Sequence, residues 1–247
     1  MRILFILFFA LFIGSCQQQT PQSGSEKEDK GTEVQKTNYI KKNYYDNGAL
    51  MSEVPVKDDV IHGIVKNYYK SGKLHSRVYY NMGEKTKTIW YYESGEVYRV
   101  TPFKDNMMEG VRKFYYRSGT LKAEVPYKKG EPEEGLKEYT TSGTLVSGYP
   151  KLQFKKVEKF DENKVILRFN LSNNTPNVDF NQIIEVDGKE IKKSIPANQG
   201  YGQLLFRLAP GYQIDNKKII IQAKTNSGRG NTYITRGVYN LSAVHHE

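Results

Sequence analysis

Few residues in this sequence are equipped to do chemistry. It holds one cysteine, Cys16, and four histidines, His62, His75, His245 and His246. A single thiol excludes an intrachain disulfide framework. His62 falls in a turn, and His75 stands where sister segments carry Met51, Tyr98 and Lys122, a freedom of exchange that fits a surface better than a catalytic base. His245, His246 and Glu247 end the chain, where a frayed tail is expected rather than a metal site. Glu131, Glu133 and Glu134 crowd one Pro-containing turn, whereas glycosidase carboxylates face each other across a cleft between separate elements. Zinc-ligand spacing, a phosphate loop and a G-x-S-x-G elbow are all missing. The expectation is a chain that is not an enzyme, with no catalytic residues, no metal site and no cofactor.

Aromatic side chains are the other chemical resource: 19 Tyr, 11 Phe and one Trp. They recur in adjacent groups, Tyr68/Tyr69, Trp90/Tyr91/Tyr92 and Phe114/Tyr115/Tyr116. Neighbours on a strand point to opposite faces, so one column must turn inward and the next outward or to a rim. The column Tyr44, Tyr68, Tyr91, Tyr115, Tyr139 is expected inward. The second column, Tyr45, Tyr69, Tyr92 and Tyr116 with Trp90 beside it, is then a candidate binding ladder for protein or glycan, because tyrosine presents area at low entropic cost. The competing reading is that these rings serve only the cross-strand packing of the repeat.

The elements that carry these columns repeat. Gly48, Gly72, Gly95, Gly119 and Gly143 recur at intervals of 24, 23, 24 and 24 residues. Each follows Asn or Ser and stands four residues after a Tyr and two before Leu or Val. Seven residues after each Gly comes Pro55, Pro102, Pro126 or Pro150, with Tyr79 as the exception. A fixed period of this length means a stacked array. Strand, tight Ser/Asn-Gly turn and second strand make one hairpin, and a lone hairpin is marginal in water, so successive hairpins must pair. A longer turn closes each unit, with Thr86 in the second where the first and third have Gly63 and Gly110.

The (Y/F)YxSGxL…G…YY pattern over residues 44–150 resembles the MORN repeat variant of the bacterial family of YwqK-type antitoxins and related envelope lipoproteins. That resemblance implies an antiparallel hairpin array that binds rather than catalyses. Its alternative implication is an antitoxin or immunity-type protein that neutralises a toxin by direct contact.

Residues 151–247 change character. Period-two runs at Val165, Leu167, Phe169, Leu171, at Leu204, Phe206, Leu208 and at Ile219, Ile221, Ala223 predict half-buried strands. Asp187-Gly188 is a two-residue hairpin signal. Six or seven strands predict an antiparallel sandwich, and the segment resembles the last strands of bacterial Ig-like domains in architecture, without the Cys pair and core Trp of antibody domains. The fold class expected is all-β: a hairpin-repeat array followed by an Ig-like β-sandwich, docked because almost no linker separates Pro150 from Lys151.

At the other end, Arg2 precedes an apolar run, Ile3–Ile13, far short of the roughly 20 residues a membrane-spanning helix needs and suited to a signal peptide. Ile13-Gly14-Ser15-Cys16 resembles the bacterial lipobox, which implies cleavage before Cys16 and lipid attachment to it. Several acyl chains anchor stably where one does not. The expected organisation is residues 1–15 signal peptide, 16–43 lipidated Cys16 and a disordered tether, 44–150 array, and 151–247 sandwich. Gln17 after the cysteine points to the outer membrane, with the periplasmic face favoured over the cell surface. The partners expected are the membrane, through the anchor, and a protein. The net charge of +10 lies mainly in residues 144–247, while the array is near balance, and no basic run of five appears, so nucleic acid is not expected.

Overall fold

The computed structural model describes residues 37–247, so the expected signal peptide, Cys16 and most of the tether lie outside the described residues. The described chain is β throughout, apart from one 3-10 turn at Phe160–Glu162. The first part is an antiparallel sheet built one hairpin at a time. Its strands are β1 (Asn38–Tyr44), β2 (Leu50–Lys57), the short β3 (Val60–Ile61), β4 (Gly63–Tyr68), β5 (Leu74–Asn81) and β6 (Glu84–Tyr91). There follow β7 (Val97–Lys104), the short β8 (Met107–Met108), β9 (Gly110–Tyr115), β10 (Leu121–Lys128) and the two-residue β11 (Glu131–Pro132) and β12 (Lys137–Glu138). The main order is β1-β2-β4-β5-β6-β7-β9-β10, so the sheet grows in sequence order.

Two turn chemistries generate this order. At one end of each hairpin the Gly N–H donates to the carbonyl three residues back, as Gly72 to Tyr69 at 2.9 Å, and the Tyr69 N–H closes on Lys73 O at 2.8 Å. The glycine takes φ +80, a left-handed conformation that Gly enters without steric cost. At the other end are two-residue turns with both central φ positive: Asp58/Asp59, Met82/Gly83, Asp105/Asn106 and Lys129/Gly130. Their backbone twist matches that of the paired strands.

The recurrent proline has a specific partner. Pro55, Pro102 and Pro126 place Cγ 3.4, 3.3 and 3.4 Å from where a Cβ would sit on Gly63, Gly110 and Gly135. The two exceptions noted in the sequence, Tyr79 and Thr86, are one exception. Tyr79 occupies the proline position, Thr86 the glycine position, and the Thr86 hydroxyl donates to Tyr79 O at 3.3 Å.

The array departs from expectation at both ends. Asn38–Asn43, assigned by composition to the tether, belong to β1, which pairs with β2 from Asn38 to Tyr44. A polar stretch can be a strand when a neighbour supplies its backbone partners. The fifth unit keeps its turn but not its hairpin, and Tyr139 and Leu145 meet in a single bridge.

The second part is a two-sheet sandwich. One sheet is β13 (Leu152–Lys159), β14 (Lys164–Leu171) and β17 (Tyr201–Arg207), in the order β13-β14-β17. The other is β16 (Lys189–Ile195), β15 (Asp179–Val186), β18 (Gln213–Asn226) and β19 (Thr232–Val244), in the order β16-β15-β18-β19. Its seven strands follow the immunoglobulin constant-domain order with one change: the fourth strand pairs with the third and not with the fifth. The hydrophobic core joins Val165, Leu167, Phe169 and Leu171 to Phe180, Ile219, Ile221, Ala223 and Leu241. The period-two runs thus point inward as expected, and each large side chain contributes about 1.5–3 kcal/mol by burial. Phe169 sits so close to β17 that only the hydrogen of Gly202 fits against its ring. His245 is no frayed tail: it stacks on Phe160 at 4.6 Å, and its Nδ1 lies 2.9 Å from Leu208 O.

Candidate binding groove on the repeat array

Cross-strand partners share a face of the sheet, so the register sorts the repeat residues into two sides. One side carries the row Glu53, Lys66, Arg77, Ile89, Val100, Lys113, Glu124 and Lys137. Here charges are paired, Lys66–Glu53 and Lys113–Glu124 each at 3.3 Å. The first tyrosine column joins this side. Tyr68 donates to Glu53 at 2.9 Å and Tyr139 to Glu124 at 3.0 Å, while Arg77 lies 5.7 Å from the Tyr91 ring. The Tyr68 hydroxyl and the two lysines hold Glu53 below the ordinary glutamate value against the opposing effect of burial. This column is not the core it was expected to be. Tyr44 is 59% exposed and the other four are half-buried, because among the described residues no second layer packs on this side of the sheet.

The opposite side carries Asn43, Ser52, Asn67, Ser76, Trp90, Arg99, Phe114, Ala123 and Glu138 in one row. Val78, Thr88 and Thr101 lie in the row beside it. Asn43 and Asn67 donate to Ser52 and Ser76 at 2.8 and 2.9 Å. The small residues of these rows are buried beneath larger neighbours, Ser76 and Thr101 among them.

The second tyrosine column lies on this side and is only half exposed. Each of its hydroxyls is committed to the next repeat: Tyr45 donates to Tyr68 O, Tyr69 to Tyr91 O, Tyr92 to Tyr115 O and Tyr116 to Tyr139 O, at 2.7–2.8 Å. The ladder therefore braces each repeat to the next, and ring faces and edges remain for a ligand.

Those rings gather at one place. A groove of about 380 Å³ is lined by Tyr69, His75, Trp90, Tyr91, Tyr92, Tyr98 and Arg99. His75 sits between Tyr69 and Trp90, with ring centroids 4.3 and 4.9 Å away, and Tyr98 meets Tyr92 at 5.1 Å. Burial pulls the His75 imidazole below its ordinary value, favouring the neutral ring. Arg99 lies 5.0 Å from the Trp90 ring and 5.8 Å from Tyr98. Burial, and then repulsion from Arg112, lower the Arg99 guanidinium from its ordinary value.

Of the residues singled out from the sequence, Tyr69, Trp90 and Tyr92 meet in this groove. Tyr45 lies one repeat away, and Tyr116 lies toward the sandwich, where Arg229 reaches its hydroxyl at 3.4 Å. Cys16 is outside the described residues. His75, Tyr98 and Arg99 were missed, yet a signal was present. Four residues after the turn glycine the repeats carry Ser52, Ser76, Arg99 and Ala123, and a guanidinium among small residues marks the one unit that departs. Among the described residues no cluster of three metal-ligating side chains occurs, and no helix is long and apolar enough to cross a membrane.

Comparison with known proteins is consistent with this unit. No curated protein matches the chain. Residues 40–58, 61–82, 87–105 and 108–129 match the family model of the MORN repeat variant, one match per hairpin, so the array carries four such repeats.

Proposed function

We propose that the chain is an envelope-anchored lipoprotein that binds or scaffolds a protein partner through its repeat array, without catalysis. The observation that carries this reading is the aromatic groove around Trp90: rigid rings, little polar demand and one half-buried cation, the composition of a protein-binding hot spot. Lipid attachment at Cys16 follows from the lipobox resemblance, and the outer membrane with its periplasmic face is the proposed location. A toxin is one partner such a groove would serve, and the immunity-type alternative differs only in the identity of that partner.

The test is crosslinking and co-purification from detergent-solubilised envelopes, comparing the native chain with Cys16→Ala and Trp90→Ala. The reading expects one protein at fixed stoichiometry, reduced at least tenfold by Trp90→Ala, as hot-spot truncations are. Equal recovery with Trp90→Ala would remove the groove from the function.

A further inference from the structure

We propose that the groove takes a carboxylate: an acidic side chain of an extended partner segment, held by Arg99 beside Trp90 and Tyr98, with Arg112 on the next strand adding its charge. This rests on the reading that the array binds a protein, and it names the chemistry of that protein.

On the far side two lysines meet glutamates across the ladder, and the one arginine of that row, Arg77, has no carboxylate within 4.0 Å among the described residues. On the groove side Arg99 and Arg112 stand on the adjacent strands β7 and β9, and neither has a carboxylate within 4.0 Å among the described residues. The two guanidiniums repel each other, and Arg99 is half-buried. Charges withdrawn from water in this way are unfavourable until an opposite charge joins them.

Polar atoms there lack partners as well. Arg99 Nε, Arg112 Nε and Thr101 Oγ1 are buried without a hydrogen bond, and Thr101 as a whole is 2% exposed. Arg112 donates one Nη1–H to Tyr127 Oη, at 3.2 Å, and one Nη2–H to Met108 Sδ, which leaves one further N–H on each of these nitrogens.

Geometry favours a planar anion. The Trp90 and Tyr98 rings lie 5.0 and 5.8 Å from Arg99 Cζ, and the Phe114 and Tyr127 rings 5.9 and 4.7 Å from Arg112 Cζ. With Nε buried, a carboxylate would meet the terminal Nη groups, whose paired N–H bonds match its two oxygens. The rings of the groove then supply apolar contact for residues beside the acid. Four strands at about 4.8 Å spacing, β5 to β9, accommodate roughly four or five extended residues.

Trp90 is the only tryptophan in the chain, so its fluorescence reports the groove directly. Random dodecapeptides displayed on phage are selected on the full chain in detergent micelles. The best binder and its Glu→Gln or Asp→Asn counterpart are then titrated by Trp90 emission against the native chain, Arg99→Gln, Arg99→Lys, Arg112→Gln and, as control, the exposed sandwich residue Arg168→Gln. The expected result is selected peptides with an acid beside aliphatic or aromatic residues. Peptide neutralisation and Arg99→Gln should each weaken binding about tenfold or more, with no further loss when combined. Arg99→Lys should lose part of the affinity, Arg168→Gln none, and unchanged melting points would show that the variants fold. Neutral peptides that bind Arg99→Gln as well as the native chain overturn the carboxylate while leaving the protein-binding reading intact. If no peptide binds but phosphatidylglycerol micelles or pyrophosphate shift Trp90 emission through Arg99, the ligand is a phosphate and the proposal falls. Silence toward all probes overturns both.

Discussion

At the scale of single residues, the second tyrosine column shows how one hydroxyl changes the meaning of a ring. Each committed hydroxyl satisfies a carbonyl of the next repeat, so Tyr92→Phe should lower stability by about 1 kcal/mol, read as a shift in urea midpoint at constant slope. Gly202→Ala in the sandwich should cost more, about 1–3 kcal/mol, because the added methyl collides with the Phe169 ring. Titration adds a two-stage pH dependence. His75 is held below 6.5 by burial, so the unfolded chain takes up its proton first and stability begins to fall as pH drops through 6.5. Glu53 is held below 4.5 chiefly by the Tyr68 hydroxyl, and Glu190 chiefly by Arg236, so a second loss begins as pH drops through 4.5. Melting temperature against pH should show both stages, and His75→Phe should remove only the first. Residue types and columns were legible in the sequence. Burial was not, because alternation says that two columns face opposite ways but not that both sides of a single-layer sheet stay half open.

At the scale of elements, the repeat unit was legible because its turn residues are stereochemically demanded. The Ser/Asn-Gly turn and the Asp187-Gly188 hairpin fall where the pattern placed them, and the inward-facing runs of β14 and β18 form the sandwich core. What escaped was the pairing of Pro with Gly across a bulge, since the two positions belong to different strands and meet only once the register is set. The pairing makes a prediction. Gly110→Thr puts a β-branched residue at φ +95 against Pro102 and should destabilise the array by more than about 1 kcal/mol. Adding Pro102→Tyr, to reproduce the Tyr79–Thr86 solution of the second repeat, should recover part of that loss. Additive losses in the double variant would show that the two sites are independent. The start of the array was missed for a related reason: β1 reads as polar tether until β2 is there to pair with it.

At the scale of the molecule, array and sandwich are joined through a polar knot that no sequence pattern announced. Glu138, 1% exposed, accepts hydrogen bonds from Tyr149 at 2.9 Å, Ser227 at 2.7 Å and Asn231. Tyr149 stacks on Tyr233 at 5.0 Å, and burial, with the neighbouring carboxylate, raises the Tyr149 pKa. Arg236 of β19 adds a second tie, to Glu190 at 2.7 Å and to Glu134 of the array at 3.6 Å. Glu134, weighed in the sequence as one member of an acidic turn, thus contributes to the joint. Glu138→Ala strands three donors and should cost at least 2–3 kcal/mol, with the single calorimetric transition expected of the native chain splitting into two. The short Pro150–Lys151 connection foretold contact between the parts, but not which groups make it.

The central claim is that the face bearing Trp90 and Arg99 is where the partner sits. The most direct measurement is photocrosslinking in intact cells with p-benzoylphenylalanine placed at position 98, inside the groove, and at position 212, where the native Tyr is 68% exposed on the sandwich. The account predicts one discrete protein adduct from position 98, lost with Arg99→Gln, and none from position 212. Adducts from both positions alike, or from 212 alone, would contradict it.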